Sequence, residues 1–402
     1  MSNNKSFLKS GHLPTLLSSF LYFDVSFMIW VIVGSLSTFI VQDFGLTDAQ
    51  KGLMVGIPIL GGSLLRIPMG FLADRFGGKR IGSIGMLLTM IPLLWGWLYG
   101  DSLNEVHAFG FLLGIAGASF AVALPLASRW YPPEHQGLAM GIAGAGNSGT
   151  VLATLFAPRI AEAFGWHAVF GIALIPLSIV FVVFLIFAKD CPNSVKPMTI
   201  AQYLSIFKIK ETWILSFFYS LTFGGFVGLT SYLSIYFVDQ FAVSKVTAGD
   251  YVTIAVIAGS FVRPIGGYIA DKVGGMGLLL RLFGISAIIL AAIGFVQSSA
   301  VVSLTLFILL MLVFGVANGA LFQVIPTRFP KEVGIFTGFV GAAGGLGGFF
   351  LPNILGTIKE LTGSFSYGFW WIGLTYVVSF LLIGWLINDW KKQGYLKQNG
   401  SL

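Results

Sequence analysis

Arg66-Ile-Pro-Met-Gly-Phe-Leu-Ala-Asp74 recurs 197 residues later as Arg263-Pro-Ile-Gly-Gly-Tyr-Ile-Ala-Asp271. Arginine and aspartate stand eight residues apart in both copies. The same offset carries Gly137 to Gly334, Gly141 to Gly338 and Gly144 to Gly341. That offset is close to half of the 402 residues. A weak repeat at half the chain length marks a duplicated membrane bundle, with its site between the two copies.

The sequence around the repeat is apolar. Hydrophobic residues make up 56% and charged residues 10%, whereas soluble domains carry about 25% charged residues. Most soluble folds and any disordered reading are excluded. The 52 glycines suit close helix packing in lipid. A lone cysteine, Cys191, excludes an intramolecular disulfide. The net charge of +7 reads as a loop bias of a membrane protein, with no nucleic acid partner. The apolar run after residues 1–15 is too long for a signal-peptide core and reads as a retained first helix.

Apolar runs between charged or turn-rich punctuation predict spans at 16–40, 52–73, 81–99, 107–128, 137–157, 166–188, 213–238, 250–270, 278–297, 301–326, 334–357 and 368–388. The fold class expected is all-α, with twelve transmembrane helices in two pseudo-symmetric halves of six. The halves are 1–188 and 213–402, joined by a cytoplasmic linker, 189–212. With both termini cytoplasmic, 17 of the 23 Lys and Arg lie inside. Lys51, Arg159, Lys245 and Lys359 lie outside, and Arg66 and Arg263 lie within spans. This bias orients a multi-pass protein of the cell (inner) membrane.

Gly70-Phe-Leu-Ala-Asp74-Arg75-Phe-Gly77-Gly-Lys79-Arg80 lies between spans two and three, with a weaker copy at Gly267 to Gly274. It reads as a tight turn at the cytoplasmic surface. Gly70 would let a neighbouring helix approach, and Asp74, with Asp271 in the copy, would pair with an arginine or cap a helix. The motif resembles the loop signature of the major facilitator superfamily, which implies that family's twelve-helix fold.

Arg66 and Arg263 are the sharpest feature. A mid-span arginine costs roughly 2.5–3.5 kcal/mol on insertion scales, so two at matched depth need a reason. Facing one central cavity, the pair should attract an anion. The competing reading is a structural pairing with Asp24 or with a helix terminus. Guanidinium is planar and forked, which suits flat oxyanions. Nitrate and nitrite fit, and carboxylates and bicarbonate remain open on this ground. Asp24 is the one carboxylate in the interior of a predicted span, and is read as a proton site or an arginine partner. No constellation of nucleophile, cofactor or metal ligands is found, and no enzymatic activity is expected.

Gly141-Ile-Ala-Gly144-Ala-Gly146-Asn147-Ser-Gly149 in span five and Gly341-Ala-Ala-Gly344-Gly345-Leu-Gly347-Gly348 in span eleven would let backbones pack closely or admit a ligand. These two stretches resemble the paired signatures of the nitrate/nitrite porter family, and look closest to its bacterial assimilatory branch. The resemblance runs over nearly the whole chain. It implies that Arg66 and Arg263 clamp the anion and that Asn147 supplies an amide. It implies that Tyr219, Phe223, Phe120 and Phe27 wall the site. Gly344 stands where Asn147 would repeat, so the site should be asymmetric. The function implied is nitrate (and nitrite) import by alternating access, coupled to protons. Nitrate/nitrite antiport, or transport of another small anion, is the alternative. The partners expected are nitrate, nitrite, protons and lipid, with the chain as a monomer.

Overall fold

The computed structural model describes residues 7–192, 206–296, 298–328 and 333–394. Residues 193–205, most of the expected linker, lie outside them. Among the described residues the chain is helical, without strands. Twelve helices are long and apolar enough to span a membrane. They are α1 (Leu13–Trp30), α2 (Asp48–Phe76), α3 (Gly78–Leu98), α4 (Leu103–Ser128), α5 (Leu138–Phe164) and α6 (Trp166–Phe187). The second half holds α7 (Lys210–Phe241), α8 (Lys245–Val273), α9 (Gly275–Phe295), α10 (Ala300–Ile325), α11 (Gly338–Thr362) and α12 (Phe365–Lys392). Each predicted span finds its helix. Most helices overshoot the apolar runs because polar residues cap the ends, as Thr47 and Gln50 do in a reciprocal capping box on α2. Twelve crossings bring both ends of the bundle to one face, called the near face below.

The repeat is a physical one. The turn after α2 passes through Gly77 at φ 94° and the turn after α8 through Gly274 at φ 84°. Only glycine adopts that backbone without strain. Asp74 pairs with Arg129 at the end of α4. The sequence expectation for Gly70 is corrected: a methyl there would meet Ala121 at an ordinary 3.4 Å, so no close approach depends on it. The turn instead gains an unforeseen partner, because Asp190 accepts the Lys79 amide at 3.0 Å.

Glycine does set the spacing elsewhere. A methyl on Gly114 of α4 would lie 2.2 Å from the Gly61 backbone of α2. In the other half, one on Gly315 of α10 would lie 2.2 Å from the Gly259 carbonyl of α8. Matched helix pairs thus make matched backbone contacts. Between α7 and α11, a methyl on Gly347 would lie 1.9 Å from the Ser220 carbonyl.

Charges tie the halves together at the far face. Lys51 of α2 reaches Asp239 of α7 at 2.7 Å and Asp48 at 2.8 Å. Lys359 of α11 reaches the same two carboxylates, Asp239 at 2.9 Å and Asp48 at 3.3 Å. Arg159 of α5 meets Asp250 of α8 at 2.8 Å.

Gly347→Ala should therefore destabilise the purified protein, while Gly141→Ala, with open space beside it, should not. Thermal unfolding followed by size-exclusion fluorescence checks this, with overpacking expected to cost about 1–3 kcal/mol. Equal stability of the two variants would contradict the packing of α7 on α11.

Candidate functional site

Arg66 sits in mid-α2 and is 2% exposed. Among the described residues no carboxylate lies within 4.0 Å of it. Its guanidinium is held by backbone instead. Nη2 donates to the Gly117 carbonyl at 3.0 Å, and Nη1 to the Gly341 carbonyl at 2.5 Å. Gly117 belongs to α4 and Gly341 to α11, so one side chain bridges the halves. Gly117 closes the first stretch of α4, Leu103–Gly117, before the helix resumes at Phe120. Irregular backbone at membrane depth is tolerated where it is buried in protein.

Aromatic faces supply the rest. The Arg66 guanidinium carbon lies 5.1 Å from the Phe120 ring centre and 5.5 Å from those of Trp30 and Phe223. These are cation–π distances. The Trp30 indole fits because Gly62 and Gly117 are bare. A methyl would meet it at 2.6 Å on the first and 2.4 Å on the second. Trp30 then donates to the Pro58 carbonyl at 2.7 Å.

Arg263 starts the second stretch of α8, Arg263–Val273, after a break at Val262. It is half-buried. Nη2 donates to the Tyr219 hydroxyl at 3.2 Å, and the guanidinium carbon lies 5.3 Å from the Phe322 ring centre. Two aromatic paths join the arginines. One runs through Phe223 stacked on Tyr219, with ring centres 5.0 Å apart and planes at 7°. The other runs through Phe120 and Phe322, 6.4 Å apart. Phe27 approaches Phe223 at 6.5 Å. The five aromatic and arginine positions singled out on α2, α4, α7 and α8 thus come together, with Phe27 at their edge.

Neither arginine is ion-paired among the described residues; backbone carbonyls hold Arg66 and Tyr219 holds Arg263. Nor does Asp24 pair with either. It accepts from Ser148 Oγ at 2.7 Å. Asn147 is buried in the 3-10 turn Ala145–Ser148, and its amide makes no hydrogen bond among the described residues.

The glycine signatures divide. Gly344, in the place where Asn147 would repeat, cannot carry a side chain, because a methyl would lie 2.5 Å from the Tyr219 ring. Gly345 faces Ser63 in the same way at 2.7 Å, and Gly146 faces Phe23 at 2.7 Å. Gly141 meets nothing, Gly144 only Leu124 at 3.9 Å, and Gly341 Phe120 at 3.4 Å and Arg66 at 4.0 Å. Of the two expectations for these glycines, close packing does not hold at those three, and admission of a ligand stays open. Sequence reasoning missed Trp30, Phe322 and Ser63, whose hydroxyl donates to the Ala342 carbonyl across the halves. Trp30, three residues after Phe27 on the same helix face, was the one detectable by spacing.

Twelve helices in two related halves, lined between them by one buried and one half-buried arginine, are the architecture of a secondary transporter. The Major Facilitator Superfamily matches residues 18–352. The D-xylose-proton symporter structure superposes with a TM-score of 0.75 at 18% identity, covering 94% of this chain and 97% of that one. A bacterial homologue of the human lysosomal transporter Spinster superposes with a TM-score of 0.67 at 19% identity, covering 93% and 95%. These two establish the fold alone.

Sequence relatives are nearer. The nitrite extrusion protein of Bacillus subtilis (strain 168) is 34% identical over 378 residues, 93% of this chain and 94% of that one. The probable nitrate transporter NarT of Staphylococcus carnosus (strain TM300) is 33% identical over 380 residues, 94% of each. The probable nitrate/nitrite transporter NarK2 of Mycobacterium tuberculosis (strain ATCC 25618 / H37Rv) is 34% identical over 342 residues, 84% of this chain and 86% of that one. The chain belongs to the major facilitator superfamily and, within it, to the nitrate/nitrite porter family.

Gly344→Asn, which would make the halves alike at this point, should displace Tyr219 and break its bond to Arg263. We expect loss of folded, monodisperse protein or a clear fall in thermal stability. A variant as stable as the parent would contradict the Tyr219 position.

Proposed function

We propose that this protein imports nitrate, and nitrite with it, through the cell membrane, with the anion gripped between Arg66 and Arg263. One observation carries the reading. Two arginines meet at the join of the halves with no carboxylate within 4.0 Å of either among the described residues, and Arg66 Nε is buried without a partner. An unpaired buried cation is costly, and a small oxyanion supplies the missing charge and acceptors. The stacked Tyr219 and Phe223 and the Phe120, Phe27 group offer flat apolar walls. Asn147 offers an unused amide. The relatives' names, which speak of nitrate and nitrite, favour these anions over carboxylates.

Uptake works by alternating access, as a monomer. The halves 1–188 and 213–402 rock about the site, and the linker 189–212 tethers them. The near face is cytoplasmic, as the 17-to-4 Lys and Arg bias requires. The Lys51, Asp48, Asp239, Lys359 cluster then closes the outer mouth and must part for nitrate to enter.

A monovalent anion entering against 100 mV is opposed by about 2.3 kcal/mol, roughly a 40-fold outward bias. Symport with two or more protons overcomes it. Exchange for internal nitrite, electroneutral by charge, is the second reading, which the nitrite extrusion name of one relative favours.

Proteoliposomes loaded with or without nitrite test both. Labelled nitrate accumulation driven by an inward proton gradient, without internal nitrite, is expected. Uptake indifferent to the gradient and strictly dependent on internal nitrite would replace symport by exchange. For the clamp, Arg66→Lys and Arg263→Lys each keep the charge but lose the fork. Charge-assisted hydrogen bonds worth about 1.5–3 kcal/mol predict nitrate affinity about 10- to 100-fold weaker. Parental affinity in both variants would remove the clamp.

A further inference from the structure

Asp24 lies eleven residues after Leu13 on α1, about 16 Å along the helix. The chain then continues through short turns to Phe44, so Asp24 stands about a third of the way along the first crossing. Its bonded partner among the described residues is the Ser148 hydroxyl of α5. No cation lies within 4.0 Å of it among the described residues.

The charged and titratable groups of the elements packed around it are engaged or remote. On its own chain, His12 bonds Thr15. On α2, Arg66 is held by carbonyls, and Asp48 and Lys51 belong to the far-face cluster. On α4, Arg129 pairs with Asp74 at the near face, while Glu105 and His107 lie in the first turns at the far face. On α5, Arg159 and Glu162 lie in the far-face half of the helix, and Arg159 pairs with Asp250 of α8. On α6, His167 stacks on Trp166 at the far face. On α8, which packs on the 3-10 turn, Arg263 bonds Tyr219.

Asp24 is also mechanically fastened to the site. A methyl on Gly149 would lie 1.8 Å from the Asp24 carbonyl, and one on Gly146 would lie 2.8 Å from its amide nitrogen. The 3-10 turn is thus flush against the α1 backbone on both sides of Asn147. Phe23 and Phe27 flank Asp24 and reach Phe120 at 5.7 Å and Phe223 at 6.5 Å. The other half has no counterpart. At the repeat offset of 197, Leu221 replaces Asp24 and Gly345 replaces Ser148. Packing alone is therefore satisfied without a carboxylate at this place.

We propose that Asp24 carries the coupled proton, and that the Ser148–Asn147 turn transmits its protonation to the anion site. The inference rests on the proton-symport reading above. The ionised carboxylate accepts the Ser148 Oγ–H through Oδ1. Adding one proton removes the charge, so the Ser148 bond falls from a charge-assisted to a weaker neutral one and Ser148 is freer to turn. Asn147, the next residue, shifts with it. A proton bound at Asp24 and an anion bound at Arg66 and Arg263 then bias the same turn without sharing a ligand, which is the requirement for coupling between distinct sites.

The test uses the full chain in proteoliposomes, with a trapped pH-sensitive dye and labelled nitrate. In the parent, a nitrate gradient drives proton entry. In Asp24→Asn, which keeps an acceptor at the same place, nitrate–nitrate exchange persists within about threefold. Nitrate-driven proton entry falls at least about tenfold, and Asp24→Glu restores it. Proton entry at the parental ratio in Asp24→Asn overturns the proposal. Should Asp24→Asn not fold, Ser148→Ala keeps the carboxylate and removes one donor. It should shift the pH midpoint of proton-driven uptake, and an unmoved midpoint overturns the proposal equally. Parent protein that exchanges nitrate but moves no protons sinks the symport reading itself, an outcome visible before any variant is made.

Discussion

The Arg66 guanidinium is the constraint around which this bundle is arranged. A buried cation must be compensated, and no carboxylate near it does so among the described residues. The compensation comes from two carbonyl dipoles and three aromatic faces. Each demands something of a helix. α4 must interrupt its ladder at Gly117, α11 must bring Gly341 close, and Trp30 needs bare glycine at 62 and 117. The two carbonyls come from different halves. The same bonds that stabilise the charge therefore hold the halves together at mid-membrane.

Duplication explains the framework and not the site. The turns at Gly77 and Gly274, and the glycine contacts of α2 with α4 and of α8 with α10, are matched. The two arginines are not in matched surroundings. Arg66 is enclosed and bonded to backbone, whereas Arg263 is half-buried and bonded to a phenol. Asn147 and Asp24 lie on one side, with Gly344 and Leu221 at the repeat positions. Tyr219 occupies the volume that a second amide, the counterpart of Asn147, would need at Gly344, so steric exclusion keeps the site asymmetric. A framework of equal halves thus carries unequal linings.

Much of this was legible in the chain because its signals are local or periodic. Span lengths follow from apolar runs, and the repeat follows from an offset. The arginines stand out because charge is scarce in lipid. The Tyr219 and Phe223 pair shares a helix face by its four-residue spacing, and the two rings do stack. Glycine was harder to read. Gly347 and Gly141 look alike in the sequence, yet one touches a neighbouring backbone and the other faces open space. Nothing in the neighbouring residues encodes that difference.

The sequence by itself determined twelve helices, their division into two sixes and the two arginines at matched depth. These depend on residue chemistry and on spacing within a helix. Only the tertiary structure decided what each charge meets. The bond from Arg66 to Gly341 joins residues 275 apart, that from Ser148 to Asp24 joins residues 124 apart, and the one from Lys51 to Asp239 spans 188. Such pairings depend on helix rotation and crossing, which are set by shape complementarity summed over many glycine and aromatic contacts. No local pattern carries that sum, so Trp30, Phe322, Ser63 and Asp190 took their roles only when the helices were packed.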